Sequence, residues 1–266
     1  MMKKINDIIG DAKTIGIAGH VRPDGDCMGS CMSLYNYLKK NRPDLDVRVF
    51  LEFVDKKFNI IENTDQIITT GYDGTKFDLF ISLDTASLDR LGLNLPFYEN
   101  AKRTACIDHH ASNDGYADYN YILPKASSAS EVLYDLLDED LIDKSIAEPM
   151  YMGIAHDSGV FRFQSTTPKT MRIAANMIEK GVNVNMILEE TFFRKTYNQM
   201  MVTAKIQSEA VLALDGKCIY GYCTSEMMEE YGVTTKDLDA VVASIRNVDG
   251  VEVAMFLYQL SENSYK

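Results

Sequence analysis

Three short apolar runs in this chain each end in a histidine or an aspartate, and that repeated arrangement limits the fold more than any other feature. Thr14-Ile15-Gly16-Ile17-Ala18-Gly19 leads into His20, Phe77–Leu83 into Asp84, and Thr104–Ile107 into Asp108-His109-His110. Each run reads as a buried strand, as does Val47–Leu51. Helical spacing fills the intervals. Ser30 to Lys40 puts Leu34, Tyr35 and Leu38 on one face, and apolar-faced helices follow over Ser130–Leu137 and Ile146–Ala155. Strands alternating with helices predict an α/β fold with a parallel sheet and flanking helices. In such sheets ligands bind beyond the carboxyl ends of the strands, which is where all three motifs stand.

The chain has 266 residues, room for one large or two modest domains. Its net charge of −12 argues against a long nucleic acid as partner, which needs a basic face. It leaves open a small phosphorylated ligand held by a metal and a few arginines. No apolar run approaches the roughly 18 residues of a membrane helix. The charged start, Met1-Met2-Lys3-Lys4-Ile5-Asn6-Asp7, does not read as a secretory signal. Five cysteines without a Cys-x-x-Cys pair read as buried small hydrophobes in a reducing cytoplasm. Pro168 starts a helix that Gly181 ends, and a further helix spans Val184–Leu214. A second unit follows: strand Lys217–Tyr222, helices Ser225–Tyr231 and Thr235–Arg246, strand Val251–Leu260. The turn-like Ser261-Glu262-Asn263-Ser264 then opens a hairpin whose second strand is expected to be missing, because the chain stops at Lys266.

Taken singly, the polar motifs have plain structural readings. Pro23-Asp24-Gly25-Asp26 is good turn chemistry, Asp84 could cap a helix, and His156-Asp157 could be local structure. Together, His20, Asp24, Asp26, Asp84, His109 and Asp157 offer two imidazoles and four carboxylates, enough for two divalent cations. Metals about 3.5–4 Å apart activate water and stabilise an in-line phosphoryl displacement. The mixed nitrogen and oxygen set favours Mn²⁺ over Mg²⁺ or Ca²⁺. Only Cys27 could add a thiolate to this set, so zinc–sulfur chemistry is not expected.

Gly19-His20-Val21-Arg22-Pro23-Asp24-Gly25-Asp26, Asp84 to Gly92, Asp108 to Asn113 and Gly153 to Phe163 resemble the DHH phosphoesterase superfamily. Within it the chain is similar, over nearly its whole length, to the nano-RNases, which are oligoribonucleases and phosphatases of 3′-phosphoadenosine-5′-phosphate (pAp). The resemblance implies that His20 and Asp24 hold one Mn²⁺, that Asp26 and His109 hold the other, and that Asp84 and Asp157 touch both. It implies His110 as a catalytic donor to the substrate phosphate and Asp108 as the carboxylate that orients a histidine. Hydroxide between the metals would be the nucleophile. Arg162 is read as a phosphate clamp or a surface ion pair, Arg22 as exposed, and Asn113 as a turn residue. Gly29-Ser30 is read as opening a helix whose amides face the site, and His156 as a tolerated neighbour of Asp157. The domains expected are a DHH catalytic domain over 1–185, a helical linker over 186–214 and a partial DHHA1 substrate-binding domain over 215–266. Relatives end that last domain with a Gly-Gly-Gly-His loop; no Gly-Gly pair occurs here, so a truncated domain is expected.

The expected activity is a two-metal phosphoesterase acting on short oligoribonucleotides, linear dinucleotides or pAp. One alternative is an inorganic pyrophosphatase, although such proteins carry Asp-Thr-Asp where this chain has Asp24-Gly25-Asp26, and a Ser-Arg-Lys-Lys-type loop not found here. The other is a nucleotide-binding module without catalysis. The expected partners are the nucleotide substrate and two divalent cations, with no long nucleic acid and no membrane. A homodimer stays open.

Overall fold

The computed structural model describes residues 4–238, 241–262 and 264–266. Met1, Met2 and Lys3 of the charged start, Asp239 and Ala240 of the last expected helix, and Asn263 of the closing turn lie outside them. The chain divides into two compact units, Met1–Phe193 and Arg194–Lys266.

The first unit begins with helix α1 (Ile5–Ile9) and then alternates: strand β1 (Thr14–Ala18), helix α2 (Gly25–Asn41), β2 (Asp46–Phe50), β3 (Leu79–Leu83), α3 (Leu95–Glu99), β4 (Thr104–Asp108) and β5 (Tyr119–Ile122). Helices α4 (Ala129–Leu136), α5 (Lys144–Asp157), α6 (Pro168–Glu179) and α7 (Val184–Leu188) follow. All five strands are parallel, in the order β2-β1-β3-β4-β5. The central strands are buried on both faces, which is why β1, β3 and β4 read as continuous apolar runs. The four expected strands are present within two residues of their expected ends. β5 was not expected; it is short, half exposed and interrupted by Asn120.

α2 and α5 cross closely. A Cβ on Gly29 would stand 2.4 Å from the Pro149 carbonyl oxygen and 2.8 Å from Gly153 Cα. Helix α2 therefore does not open at Gly29-Ser30 as expected. It opens a turn earlier, at Gly25, because Asp24 caps it, and Gly29 is the contact point with α5. Pro149 sits inside α5 and cannot donate to the carbonyl of Ser145, four residues back. Asn36 of α2 makes up the loss, its Nδ2 donating to Ser145 O at 2.9 Å. The kink-prone position is thus satisfied by the neighbouring helix.

The expected helix Val184–Leu214 is divided. After α7 come a single π turn (Glu189–Phe193), then α8 (Tyr197–Glu209) capped by Thr196, then strand β6 (Val211–Ala213). The second unit continues with β7 (Cys218–Cys223), α9 (Ser225–Tyr231), a 3₁₀ turn (Thr235–Asp237), α10 (Val241–Arg246), β8 (Val253–Ser261) and β9 (Ser264–Tyr265). β7 and β8 are parallel, while β6 and β9 pair antiparallel on either side. Val202, Ile206, Cys223, Leu238 and Val241 form its interior. The second strand of the closing hairpin, expected to be missing, is present as β9. Ser264 and Tyr265 pair with Ser261 and Gln259, and Lys266 exchanges backbone hydrogen bonds with Tyr258 at 2.9 and 3.0 Å.

Candidate metal centre

β1 lies between β2 and β3, so the chain leaves β1 for one side of the sheet and later returns on the other. This strand-order reversal is where α/β sheets open a crevice at their carboxyl ends. His20 and Asp84 follow the two strands that flank the reversal, and Val21 N–H donates to Arg90 O at 2.7 Å, tying their loops together. Asp84 has a left-handed backbone (φ 51°), and its N–H donates to Ile107 O at 3.1 Å. Aspartate tolerates that conformation better than most residues.

His20 Nδ1 lies 2.8 Å from Val21 O. A carbonyl only accepts, so Nδ1 carries the proton and Nε2 of the neutral ring keeps a lone pair for a metal. Nε2 faces Asp24 Oδ2 at 3.6 Å and Asp84 Oδ2 at 3.4 Å. The other Asp84 oxygen, Oδ1, is 3.5 Å from His109 Nε2, which also meets Asp157 Oδ2 at 3.2 Å. Asp26, His109 and Asp157 each bring a donor atom within 4.8 Å of the others. The structure thus gathers all six expected ligands into two clusters with the buried Asp84 carboxylate between them. Asp157 is placed on the His109 side.

The two aspartates of the first loop are anchored differently. Asp24 Oδ1 accepts from Asp26 N at 3.0 Å and Cys27 N at 3.1 Å. Asp26 accepts from Ala129 N at 2.6 Å and Ser130 N at 3.0 Å, the first amides of α4. Ser128 caps Glu131 N, so those first-turn amides, which lack helical partners, are left for Asp26. Each carboxylate oxygen retains a second lone pair for a cation.

The electrostatics show a surplus of negative charge. Burial opposes charging His20, but Cys27, Asp24 and Asp84 prevail and push it up to about 12. Burial likewise opposes His109, and Asp84, Asp26 and Asp157 push it up to about 10. Burial, then Asp84 and Asp157, raises Asp26 well above the carboxylate range. Burial raises Asp157 to about 6, with His109 pulling the other way and Asp84 and Asp24 adding to the rise. Protons stand in for missing positive charge, and divalent cations would displace them. Asp84 Oδ1, buried without a hydrogen-bond partner, also fits such an ion. Nitrogen and carboxylate donors suit Mn²⁺.

His110 Nδ1 donates to Asp108 Oδ1 at 2.8 Å, so the histidine that Asp108 orients is His110. Asp108 is in turn held by Asn113, whose Nδ2 donates to Asp108 Oδ2 at 2.7 Å and to Thr85 O at 3.1 Å. Asn113 Oδ1 accepts from Gly115 N at 2.9 Å, so it does serve a turn as expected. Its clasp on Asp108 was missed, because nothing local marks it.

His156 stands outside the clusters. Thr191 Oγ1 donates to Ile187 O at 2.7 Å and therefore accepts from His156 Nε2, 2.9 Å away. Burial, with Lys57 adding, lowers His156 to about 4, so it is neutral. Its ring packs beneath Gly25, where a Cβ would stand 2.1 Å from the imidazole. The Cys27 thiol is buried within 4.8 Å of His20 and Asp84 donor atoms. Arg22 is exposed, and Arg162 is exposed with Nε donating to Gly159 O at 3.0 Å.

Comparison with known proteins places the chain in a family. The family model described as "DHH family, N-terminal domain" matches residues 14–154. A bifunctional oligoribonuclease and PAP phosphatase NrnA of Bacillus subtilis is 26% identical over 251 residues, covering 92% of this chain and 78% of that protein. The protein of the same name from Thermus thermophilus is 30% identical over 258 residues, covering 93% and 73%. Among solved structures, an exopolyphosphatase-related protein from Bacteroides fragilis superposes with a TM-score of 0.85 at 21% identity, covering 96% of this chain and 78% of that one. A Methanococcus jannaschii protein assigned to the family II inorganic pyrophosphatases gives 0.54 at 16% identity, covering 92% and 83%. These two show a shared fold. On the family match and the Thermus relative, this chain belongs to the DHH family, whose members are phosphoester hydrolases.

Proposed function

We propose that the protein hydrolyses phosphoester bonds in pAp, linear dinucleotides and very short RNA, using two divalent cations, Mn²⁺ by preference. His20 and Asp24 would hold one cation, Asp26, His109 and Asp157 the other, and Asp84 both. The observation that carries this reading is the Asp84 carboxylate, with one oxygen turned to each histidine cluster. Bound there, the cations would supply the Lewis acidity that lowers the pKa of water and neutralises phosphoryl oxygens. The chain's own residues do the rest. Asp26, held by two α4 amides, fixes its cluster. The Asp108 carboxylate raises the pKa of His110 and holds its Nδ1, so the charged ring would have its Nε2–H left to donate to a phosphoryl or leaving oxygen. Arg162 would hold a second phosphate.

The names of the relatives support nucleotide substrates. The second unit would be part of a DHHA1 substrate-binding domain, joined through residues 186–214 to a catalytic domain over 1–185. The five cysteines are free and buried, which supports a reducing cytoplasm. Among the described residues no helix is long and apolar enough to cross a membrane. AMP release from pAp and from pApA, by this chain with Mn²⁺, tests the proposal. Loss of release on chelation and recovery with Mn²⁺ are expected. Absence of turnover on every such substrate would overturn it, and faster hydrolysis of pyrophosphate would establish the pyrophosphatase alternative.

A further inference from the structure

The segment that follows Asp157 is held in an unusual conformation. Gly159, Val160 and Phe161 are successive left-handed residues, with φ of 57°, 56° and 62°. A β-branched residue there is a true outlier, and such strain persists only where the surroundings impose it. Ser158 imposes it. Its Oγ accepts from Phe161 N at 3.0 Å, and its carbonyl accepts from Arg162 N and Phe163 N, both at 3.0 Å. Val160 N–H donates to Ala155 O at 2.7 Å.

The result sorts two phenylalanines. Phe161 turns inward, its ring 5.8 Å from that of Tyr151. Phe163 turns outward and is 46% exposed. Its ring lies on Gly159, where a Cβ would stand 2.5 Å from Cζ. The carbonyl of the same glycine fixes Arg162 through Nε. An exposed ring and an exposed guanidinium are thus both set against Gly159, two residues from Asp157.

We infer that Phe163 is the surface on which the nucleobase beside the scissile phosphate stacks, with Arg162 next to it on a phosphate of the same nucleotide. The inference rests on the activity proposed above. A flat apolar ring matches the face of any base, and a guanidinium matches a phosphate. Inorganic pyrophosphate has no base, so this device would serve a nucleotide substrate alone.

The test compares wild-type protein with Phe163→Ala and Phe163→Tyr, loaded with Mn²⁺. The substrates are pAp and its base-free analogue, a tetrahydrofuran ring carrying phosphates at both positions. Stacking losses predict that Phe163→Ala raises KM for pAp roughly tenfold to a hundredfold with kcat kept. KM for the base-free analogue should stay unchanged, and Phe163→Tyr should restore pAp binding. Quenching of a 2-aminopurine analogue on binding should weaken in the Ala variant, and Mn²⁺ titration should not. Equal effects on both substrates, or none on pAp, overturn the stacking inference while the activity stands. Failure of the wild type to hydrolyse either substrate removes the activity and the inference with it.

Discussion

Asp24 and Asp26 sit two residues apart where one loop turns into α2, yet the halves of the proposed site they serve are built in different ways. The Asp24 side chain is 58% exposed and spends one oxygen on capping its own helix. Asp26 is buried and is gripped by amides 103 and 104 residues further along the chain. One half is made by local turn chemistry, the other by long-range packing of α4 and α5 on the loop. A carboxylate already oriented and shielded needs less reorganisation to receive a cation. The His109 half is therefore expected to be the tighter site and the His20 half the exchanging one.

The most severe way to break this comparison is Asp84→Asn, which strikes both halves. Its loss of kcat should exceed the roughly 10–100-fold that follows loss of an orienting partner. Two tightly bound Mn²⁺ per chain and near-normal turnover in that variant would remove Asp84 from between the clusters. Next, Asp26→Asn and Asp24→Asn should separate the halves. In equilibrium dialysis Asp24→Asn keeps the tight Mn²⁺, and Asp26→Asn loses it; the reverse order would invert the ranking. Asn113→Ala should cost roughly 10–100-fold in kcat through a loosened Asp108. Its pH–rate profile should move and its Mn²⁺ affinity hold, and a loss of affinity would show that Asn113 supports the ligands instead.

The smallest effect is one of pH. Without metal, the fold holds protons on His20 and His109 up to about 12 and about 10, whereas a free imidazole releases its proton near about 6.5. These raised values stabilise the fold fully below the free value, and that contribution is lost as pH climbs toward the folded ones. Cations bound as proposed would replace the protons, so the rise in Tm caused by Mn²⁺ should be larger at about pH 8.5 than at about pH 6. A rise independent of pH would mean that the cations displace no protons from the two rings.

What could be read from the sequence follows the same division. Strands buried on both faces write themselves as apolar runs, and motifs at their ends announce the crevice, so β1, β3, β4 and the six candidate ligands were legible. β5 was not, since Tyr119–Ile122 alternates polar and apolar at a half-exposed edge. The break of the long helix after Leu188 was missed because Thr196 and Gln199 form a capping pair inside a pattern that otherwise continues as helix. Asn113 looked like a turn residue because its clasp on Asp108 exists only once β4 and the loop beyond it are folded. The early start of α2 was hidden by Gly25 and Gly29, glycines that seemed to belong to a loop and serve as contact points.

Those contacts between α2 and α5 give the molecule a gauge. Asp26 rides at the start of one helix and Asp157 at the end of the other, and the crossing at Gly29 and Gly153 locks the two shafts with no side chain between them. A methyl group added at Gly29 would act like a shim in a pair of calipers. It would widen the jaws of the proposed two-cation site while most of the fold stayed closed, and the proposed phosphoryl chemistry would register it before unfolding did.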